Sequence, residues 1–149
     1  MGKLIFILGG ARSGKSTYAQ RLAERSGKPI AFIATAQAGD DEMSARIAKH
    51  RADRPAEWTT LEIQQDIAAY LNRHPAQAEL YLLDCMTLLV ANIIFQFTEG
   101  EVTDEQKATD VIKAEVDELL AYIRSNDADW MIVSNEVGLG LVPPYPLGR

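Results

Sequence analysis

The sequence has a single cysteine, Cys85, and no long apolar run. One cysteine cannot form a disulfide within the chain, and such sparse cysteine use is typical of proteins from a reducing compartment. No stretch approaches the roughly 18 uninterrupted apolar residues that a membrane-spanning helix needs. The N-terminus also lacks the pattern of a signal peptide. We therefore expect a cytoplasmic protein without a membrane span.

The chain also lacks an excess of positive charge. Its 15 lysines and arginines stand against 21 aspartates and glutamates, which gives a net charge of −6 and does not favour a nucleic-acid partner. With 47% apolar and 24% charged residues, the composition is that of an ordinary globular protein. We expect residues 1–149 to form one domain with a core of its own.

Four short apolar runs predict buried strands, and helical periodicities lie between them. The runs lack polar alternation, which is typical of a parallel sheet covered on both faces, and the alternation of strand with helix predicts an α/β three-layer fold. The predicted strands are Leu4–Leu8, Ile30–Ala34, Leu80–Asp84 and Trp130–Ser134. The helical stripes are Ala19, Leu22 and Ala23 with Gly27 as C-cap; Ile63, Ile67, Tyr70 and Leu71; and Ile112, Val116, Leu119, Leu120 and Ile123, with Asp104 as a possible N-cap.

Three further segments bear on the organisation of the chain. Residues Thr87–Phe97 are apolar nearly all round, which predicts a helix that is buried or meets another subunit. Thr98–Thr103 is predicted to be a polar loop. The last eight residues, Val142–Arg149, contain three prolines, which exclude a helix, and nothing after them covers the sheet. We expect that a C-terminal piece is missing from this chain.

A phosphate-binding loop is the strongest functional motif. The stretch GGARSGKS matches G-x-x-x-x-G-K-[ST] at every fixed position and connects a predicted strand to a predicted helix. Its residues are Gly9, Gly10, Ala11, Arg12, Ser13, Gly14, Lys15 and Ser16. In such a loop backbone N–H groups surround an anion, the lysine contacts the β- and γ-phosphates, and the serine hydroxyl joins the Mg²⁺ shell. We predict a nucleotide site in a P-loop NTPase fold with a mostly parallel, RecA-like sheet.

The metal requires an acidic partner, which we expect on a neighbouring strand. The stretch ELYLLDC contains an apolar strand that ends in Asp84. This arrangement is typical of a Walker-B carboxylate that holds Mg²⁺ directly or through water. Cys85 beside it is predicted to be a core thiol, because nothing in the sequence pairs it with a base. His74 precedes Pro75 in a polar stretch that indicates a surface loop, and we assign it no chemistry.

The segment 40–58 permits two interpretations of its histidine. Met43, Ile47 and His50 are spaced i, i+4 and i+7, so they form one stripe of a short helix that Arg51 and Arg54 follow. His50 is either a structural residue at a helix end or a nucleophile. A neutral imidazole can attack an α-phosphorus and form a phosphoramidate, and the arginines would then carry phosphate charge.

The sequence resembles the bifunctional adenosylcobinamide kinase/adenosylcobinamide-phosphate guanylyltransferase family of cobalamin biosynthesis. Four segments carry the resemblance and span nearly the whole chain in the family's order: GGARSGKS at 9–16, IATAQAGDDEMSARIAKHRADRPAEW at 33–58, LLDCMTLLVAN at 82–92 and SNEVGLGLVP at 134–143. The second segment is highly specific, because P-loop proteins in general do not share it. Family members continue past Arg149 with a helix and a final strand.

The resemblance implies two reactions and a set of site residues. Adenosylcobinamide is phosphorylated by ATP or GTP, and GMP then passes from GTP to that phosphate through a guanylylated histidine, which falls on His50. Lys15 would neutralise phosphate charge, and Ser16 and Asp84 would hold Mg²⁺. The role of Asn135 and Glu136 stays open, and the family's tendency to form trimers implies a homo-oligomer. Positions that match the family's GTP contacts are Gly9–Ser16, Ala34, Thr35, Ala36, Arg51, Ala52, Asp53, Arg54, Glu62 and Asp84.

Two alternatives remain for the function. A plain small-molecule kinase would use only the γ-phosphate, with His50 structural. A nucleotide-sensing assembly subunit would bind GTP without catalysis, and the apolar Thr87–Phe97 helix would serve its contacts. Transfer of an α-phosphate label from GTP distinguishes both alternatives from a guanylyltransferase.

Overall fold

The computed structural model of the chain describes residues 2–10, 13–37 and 41–135, with Met43 and His50 described by their backbone alone. Strands and helices alternate along most of this part of the chain. The strands are β1 (Leu4–Gly9), β2 (Ile30–Ala34), β3 (Thr59–Glu62), β4 (Leu80–Asp84), β5 (Thr98–Glu99), β6 (Val102–Thr103) and β7 (Asp129–Asn135). The helices are α1 (Lys15–Arg25), α2 (Asp41–Ala52), α3 (Ile67–Arg73), α4 (Met86–Gln96) and α5 (Glu105–Arg124).

Five strands form one parallel sheet in the order β1-β7-β4-β2-β3. The sheet confirms the predicted α/β fold, and the four predicted strands agree with β1, β2, β4 and β7 to within one residue at each end. Because all five strands run the same way, their carboxyl ends meet at one edge. Gly9, Ala34, Glu62, Asp84 and Asn135 end the five strands there, so the topology gathers chemically useful side chains at that edge.

Two apolar clusters, one on each face of the sheet, make the fold three-layered. On one face α3, α4 and α5 cover a cluster in which the rings of Tyr81 and Trp130 stack with centroids 4.7 Å apart. On the other face Ala19 and Ala23 of α1 pack against strand residues that include Phe32. Burial of these faces from water is the main force that holds the layers together.

The predicted caps are confirmed at two helix ends. Gly27 follows α1 with φ of 68°, a conformation that glycine adopts without strain, and its N–H donates to the Glu24 carbonyl at 3.2 Å. Asp104 precedes α5, and its carboxylate accepts from the Lys107 N–H at 3.2 Å. The apolar segment at Thr87–Phe97 forms α4, with Leu89 and Ile93 buried and Phe95 exposed.

Two expectations about local structure are wrong, and one strand was not predicted. Ile63 does not belong to α3: its N–H donates to the Ala34 carbonyl at 3.0 Å, so it extends the pairing of β2 with β3. The short strand β3 was not predicted, because its sequence TTLE has too few apolar residues at an exposed sheet edge. Thr98–Thr103 is a small antiparallel hairpin of β5 and β6, in which the Thr98 and Thr103 hydroxyls are 2.8 Å apart.

The expectation that helices cover both faces of the sheet fails at β1. In the described part of the chain Phe6 is 52% exposed and Leu8 is 64% exposed, although both are apolar residues of a strand. Leu4 and Ile7 on the same strand pack against the two clusters. Helical cover therefore extends over only part of this strand.

A buried glutamate of α5 caps the N-terminus of helix α3 with its side chain. Glu115 is 5% exposed, and its carboxylate accepts from the backbone N–H groups of Asp66 at 2.6 Å and Ile67 at 3.3 Å. These groups have no partner within α3, so a side chain from a distant helix satisfies them. Asp66 has φ of 59° and so turns the chain sharply into the helix.

Burial raises the pKa of Glu115, and the two backbone N–H groups oppose that shift only in part. The folded protein thus binds a proton more tightly than the unfolded chain does, so ionisation of Glu115 removes stability as the pH rises through its folded pKa. We expect Glu115→Gln to gain unfolding free energy relative to the parent between about pH 4 and pH 7. Urea unfolding across this range measures the difference, with Glu101→Gln, at an exposed residue that does not act on Glu115, as control. A difference that does not change with pH would contradict the assignment.

Candidate functional site

The phosphate loop connects β1 to α1, as its motif predicts. Gly14 has φ of 85°, a left-handed conformation that other residues adopt only with strain, and it leads directly into α1. The Lys15 ammonium donates to the Gly10 carbonyl at 3.1 Å, so it bends back over the loop. Ala11 and Arg12, two predicted nucleotide contacts, lie outside the described residues.

A pocket of about 310 Å³ opens at the carboxyl edge of the sheet beside this loop. It brings together seven of the predicted site residues, which come from α1, β2 and its following loop, the end of α2, β3 and β4. Those seven are Lys15, Ser16, Ala34, Ala36, Arg54, Glu62 and Asp84. Six further residues complete the lining: Phe32, Arg46, Ile47, Cys85, Leu88 and Asn135.

We expected the metal-binding carboxylate on a strand next to the phosphate-loop strand, and this expectation is wrong by one strand. Asp84 ends β4, but β7 lies between β4 and the phosphate-loop strand β1. Asp84 and Ser16 nevertheless line the same pocket, so their oxygen atoms suit a Mg²⁺ ion that also binds nucleotide phosphates. Among the described residues no group of three or more His, Cys, Asp or Glu side chains could hold a metal. A metal here would therefore depend on the nucleotide for part of its ligands.

Thr35 fixes the chain around Asp84. Its side chain is completely buried, and its hydroxyl accepts from the Cys85 N–H and donates to the Cys85 carbonyl, both at 2.8 Å. Its own N–H donates to the Asp84 carbonyl at 3.2 Å. The Thr35 side chain is turned to β4 and does not line the pocket, so the nucleotide contact at this position stays a prediction. The Cys85 thiol is buried, which raises its pKa, and the interpretation as a core residue fits.

Helix α4 connects the ends of the other strands. The buried Asn92 amide donates to the Thr35 carbonyl at 2.9 Å and to the Gln64 carbonyl at 3.0 Å, which links the loops after β2 and β3. The Thr87 hydroxyl accepts from the Asn135 N–H at 2.8 Å at the end of β7. Four strand ends are therefore held by polar contacts made at or just before this helix. A polar residue in an apolar stretch was the only sequence signal for Asn92.

Arg51 in the last turn of α2 and Arg54 just after this helix have different surroundings. Arg54 is 9% exposed, and its guanidinium carbon lies 4.0 Å from the centroid of the Phe32 ring. Burial and the nearby Arg51 lower the pKa of Arg54, whereas Asp84 raises it. Arg51 is exposed and forms an ion pair with Glu62. Phe32 was missed as a site residue because a phenylalanine in a buried strand indicates only a core position.

Several predicted contacts do not line this pocket. Arg51 borders a second cleft of about 350 Å³, which shares Glu62 with the first pocket, and Asp53 borders a third cleft between α1 and α2. Ala52 is exposed at the end of α2. The side chain of His50 and the whole of Glu136 lie outside the described residues, as does the segment Val142–Arg149. His74 is exposed and packs against the Tyr70 ring, in agreement with its predicted surface position.

A parallel sheet, a phosphate loop leading into α1 and a cationic pocket beside it define a P-loop nucleotide-binding protein. The fold is similar to that in the crystal structure of the RadB recombinase, with a TM-score of 0.56 over 90% of this chain and 61% of that one. At 17% sequence identity this likeness shows the fold alone. No helix in the described part of the chain has the length and apolar character to cross a membrane.

Sequence similarity establishes the family to which this chain belongs. A family model described as cobinamide kinase / cobinamide phosphate guanyltransferase matches residues 5–149, and the chain belongs to this family. Family membership confirms the predicted function: a nucleotide-using kinase and guanylyltransferase of cobalamin biosynthesis.

Two relatives show how far the similarity extends. The bifunctional adenosylcobalamin biosynthesis protein CobP of Pseudomonas aeruginosa is 45% identical over 96% of this chain and 77% of its own length. The bifunctional adenosylcobalamin biosynthesis protein CobU of Escherichia coli is 39% identical over 98% of this chain and 82% of its own length. The similarity therefore covers nearly all of this chain in both comparisons.

The contact between Thr35 and Cys85 predicts a stability loss for a substitution that keeps the side-chain shape. Thr35→Val removes the hydroxyl and leaves the Cys85 N–H buried without a partner, which we expect to cost about 1–3 kcal/mol of unfolding free energy. Urea unfolding measures the loss. Thr59→Val on the exposed face of β3 is the matched control, with an expected change below about 0.5 kcal/mol. Equal effects of the two substitutions would show that the buried contact contributes nothing specific.

Proposed function

We propose that the pocket at the carboxyl edge of the sheet is the nucleotide site for both reactions of this enzyme. The observation that carries the proposal is the convergence of Lys15, Ser16 and Asp84 on one pocket from elements that are far apart in sequence. A lysine, a hydroxyl and a carboxylate in this arrangement are the groups that a P-loop enzyme uses to bind phosphates and Mg²⁺. The acceptor is a corrinoid, the substrate class of the family.

In the kinase reaction the chain's own groups orient and neutralise the phosphates. Lys15 contacts the β- and γ-phosphates of ATP or GTP and draws negative charge away from the phosphorus that is attacked. Backbone N–H groups at the start of α1 bind the same anion. Ser16 and Asp84 would hold Mg²⁺, which supplies charge neutralisation when bound. The hydroxyl of cobinamide then attacks the γ-phosphorus, and the bond to the leaving nucleoside diphosphate breaks.

In the guanylyltransferase reaction His50 carries GMP between two displacements. An imidazole nitrogen forms a bond to the α-phosphorus of GTP, and pyrophosphate leaves. A phosphate oxygen of cobinamide phosphate then attacks the same phosphorus, and the phosphorus–nitrogen bond breaks. His50 lies in α2, three positions after Ile47, and Ile47 lines the pocket. Residues three positions apart are neighbours on the surface of a helix. Arg54 in the pocket offsets the charge that moves onto pyrophosphate.

Covalent labelling tests the role of His50. With Mg²⁺ and GTP labelled at the α-phosphate, we expect label on the protein that survives denaturation and is lost in acid but not in alkali, as for a phosphoramidate. His50→Ala should abolish this label and GMP transfer while GTP binding is kept, because the variant lacks only the nucleophile. His74→Ala, at the other histidine of the chain, should label like the parent.

Two outcomes would contradict the assignment. Undiminished labelling of His50→Ala would exclude this residue as the carrier. An unlabelled parent protein that binds GTP and still phosphorylates cobinamide would leave a plain kinase.

Lys15→Ala should lose both activities, because both reactions need the same phosphate contacts.

Metal titration tests Asp84. Because Asp84→Asn removes the carboxylate proposed to hold Mg²⁺, we expect the Mg²⁺ concentration for half-maximal GTP affinity to rise at least about 10-fold. Calorimetric GTP titrations at graded Mg²⁺ concentrations measure the shift. Asp117→Asn, at an exposed carboxylate of α5, is the control and should leave the Mg²⁺ dependence unchanged. An Asp84→Asn protein with parental Mg²⁺ dependence would remove this residue from the metal site.

A further inference from the structure

Arg54 is a buried cation that forms no ion pair with a carboxylate in the described part of the chain. Its side chain is more than nine-tenths buried, and its Nε–H has no hydrogen-bond partner. None of the carboxylates in the described part of the chain forms an ion pair with its guanidinium, whereas the exposed Arg51 next to it is paired with Glu62. A buried arginine without an acceptor is costly in a folded protein. An anion that enters the pocket would supply the missing acceptor.

The Phe32 ring is the group that holds this guanidinium in place. Phe32 is 3% exposed and lies in the apolar cluster on the α1 side of the sheet. One neighbour of its ring is Trp58, with centroids 6.4 Å apart and planes inclined by 23°. Another is the Arg54 guanidinium at 4.0 Å, within the range of a cation–π contact. The ring is thus fixed by the core and offers a rigid surface to the arginine side chain.

We propose that Phe32 is a positioning residue for the nucleotide: its ring holds the Arg54 guanidinium as a preformed binding group for the phosphate chain of a nucleoside triphosphate. Arg54 and Lys15 line the same pocket, so two cations from different elements face the space beside the phosphate loop. The proposal deepens the function assigned above to this pocket and rests on it.

Preorganisation is the physical benefit of the contact. A free arginine side chain loses rotamer freedom when it binds a ligand, and that loss weakens binding. Stacking on Phe32 restricts the side chain before the nucleotide arrives. The ring also leaves the N–H groups at the guanidinium edge unused, because a cation–π contact engages the flat face. The edge therefore stays available for phosphate oxygens.

A double-mutant cycle separates positioning from ordinary core packing. The variants are Phe32→Leu, which keeps an apolar side chain, Arg54→Met, which keeps the length without the charge, and the two together. The probe is the α,β-methylene analogue of GTP, which cannot transfer GMP, and calorimetry gives its dissociation constant. We expect Phe32→Leu to weaken binding about 3- to 10-fold in the parent and less than about 2-fold beside Arg54→Met.

Controls distinguish this effect from loss of stability. Leu82→Val also truncates a fully buried residue of the same cluster, on a strand that neighbours β2. It should lower the melting temperature while the dissociation constant stays within about 2-fold of the parent. Phe32→Tyr keeps the ring and should bind the probe like the parent.

The outcomes are distinct. The positioning role is overturned if Phe32→Leu weakens binding of the probe equally in the parent and beside Arg54→Met, or does not weaken it at all. In both cases the pocket still binds nucleotide. Weakening by Leu82→Val as large as that by Phe32→Leu overturns it as well, since stability alone would then explain the effect. Failure of the parent to bind the probe, or unchanged binding by Lys15→Ala, overturns the assignment of the pocket itself and the positioning role with it.

Discussion

The buried hydrogen bonds between Thr35 and Cys85 are the constraint on which the site depends. They join the ends of β2 and β4, and each bond is 2.8 Å long. Both residues are buried, so these groups cannot form hydrogen bonds with water instead. Asn92 extends the same network to the loop after β3. A carboxylate at a strand end is useful only if the backbone under it is fixed, and here the backbone is fixed by a side chain from another strand. Asp84 thus owes its position to the buried hydrogen bonds that Thr35 makes with the neighbouring Cys85.

An acidic protein must concentrate positive charge locally if it is to bind phosphates. With a net charge of −6, this chain does so by placing Lys15, Arg46 and Arg54 around a small pocket at one edge of the sheet. The three cations come from α1, from α2 and from the turn that follows α2. Asp84 and Glu62 share the pocket, so the local field has both signs. Such a mixture suits a substrate that brings its own metal ion and negative charge.

Local patterns in the sequence were enough to predict four of the five strands in the main sheet and the phosphate loop, whereas Ala34, Ala36 and Glu62 were predicted as site residues only by resemblance to the family. The motif at Gly9–Ser16 and the strand ending in Asp84 carry their signals in a few adjacent residues. What could not be predicted depends on contacts between distant segments. The placement of β7 beside β1 is one example, because no local pattern encodes strand order. The contact of Arg54 with Phe32 is another, since it joins residues that look like a turn arginine and a core aromatic.

The pairing of β1 with β7 has a consequence for the order in which this protein can mature on the ribosome. The phosphate loop is synthesised first, yet its strand is aligned from Leu4 opposite Trp130 to Gly9 opposite Asn135. Strands β2, β3 and β4 are close in sequence and can associate early, whereas β1 must wait for a partner made more than a hundred residues later. Affinity for nucleotide therefore arises only after β7 has been synthesised. Until then β1 has no strand to pair with.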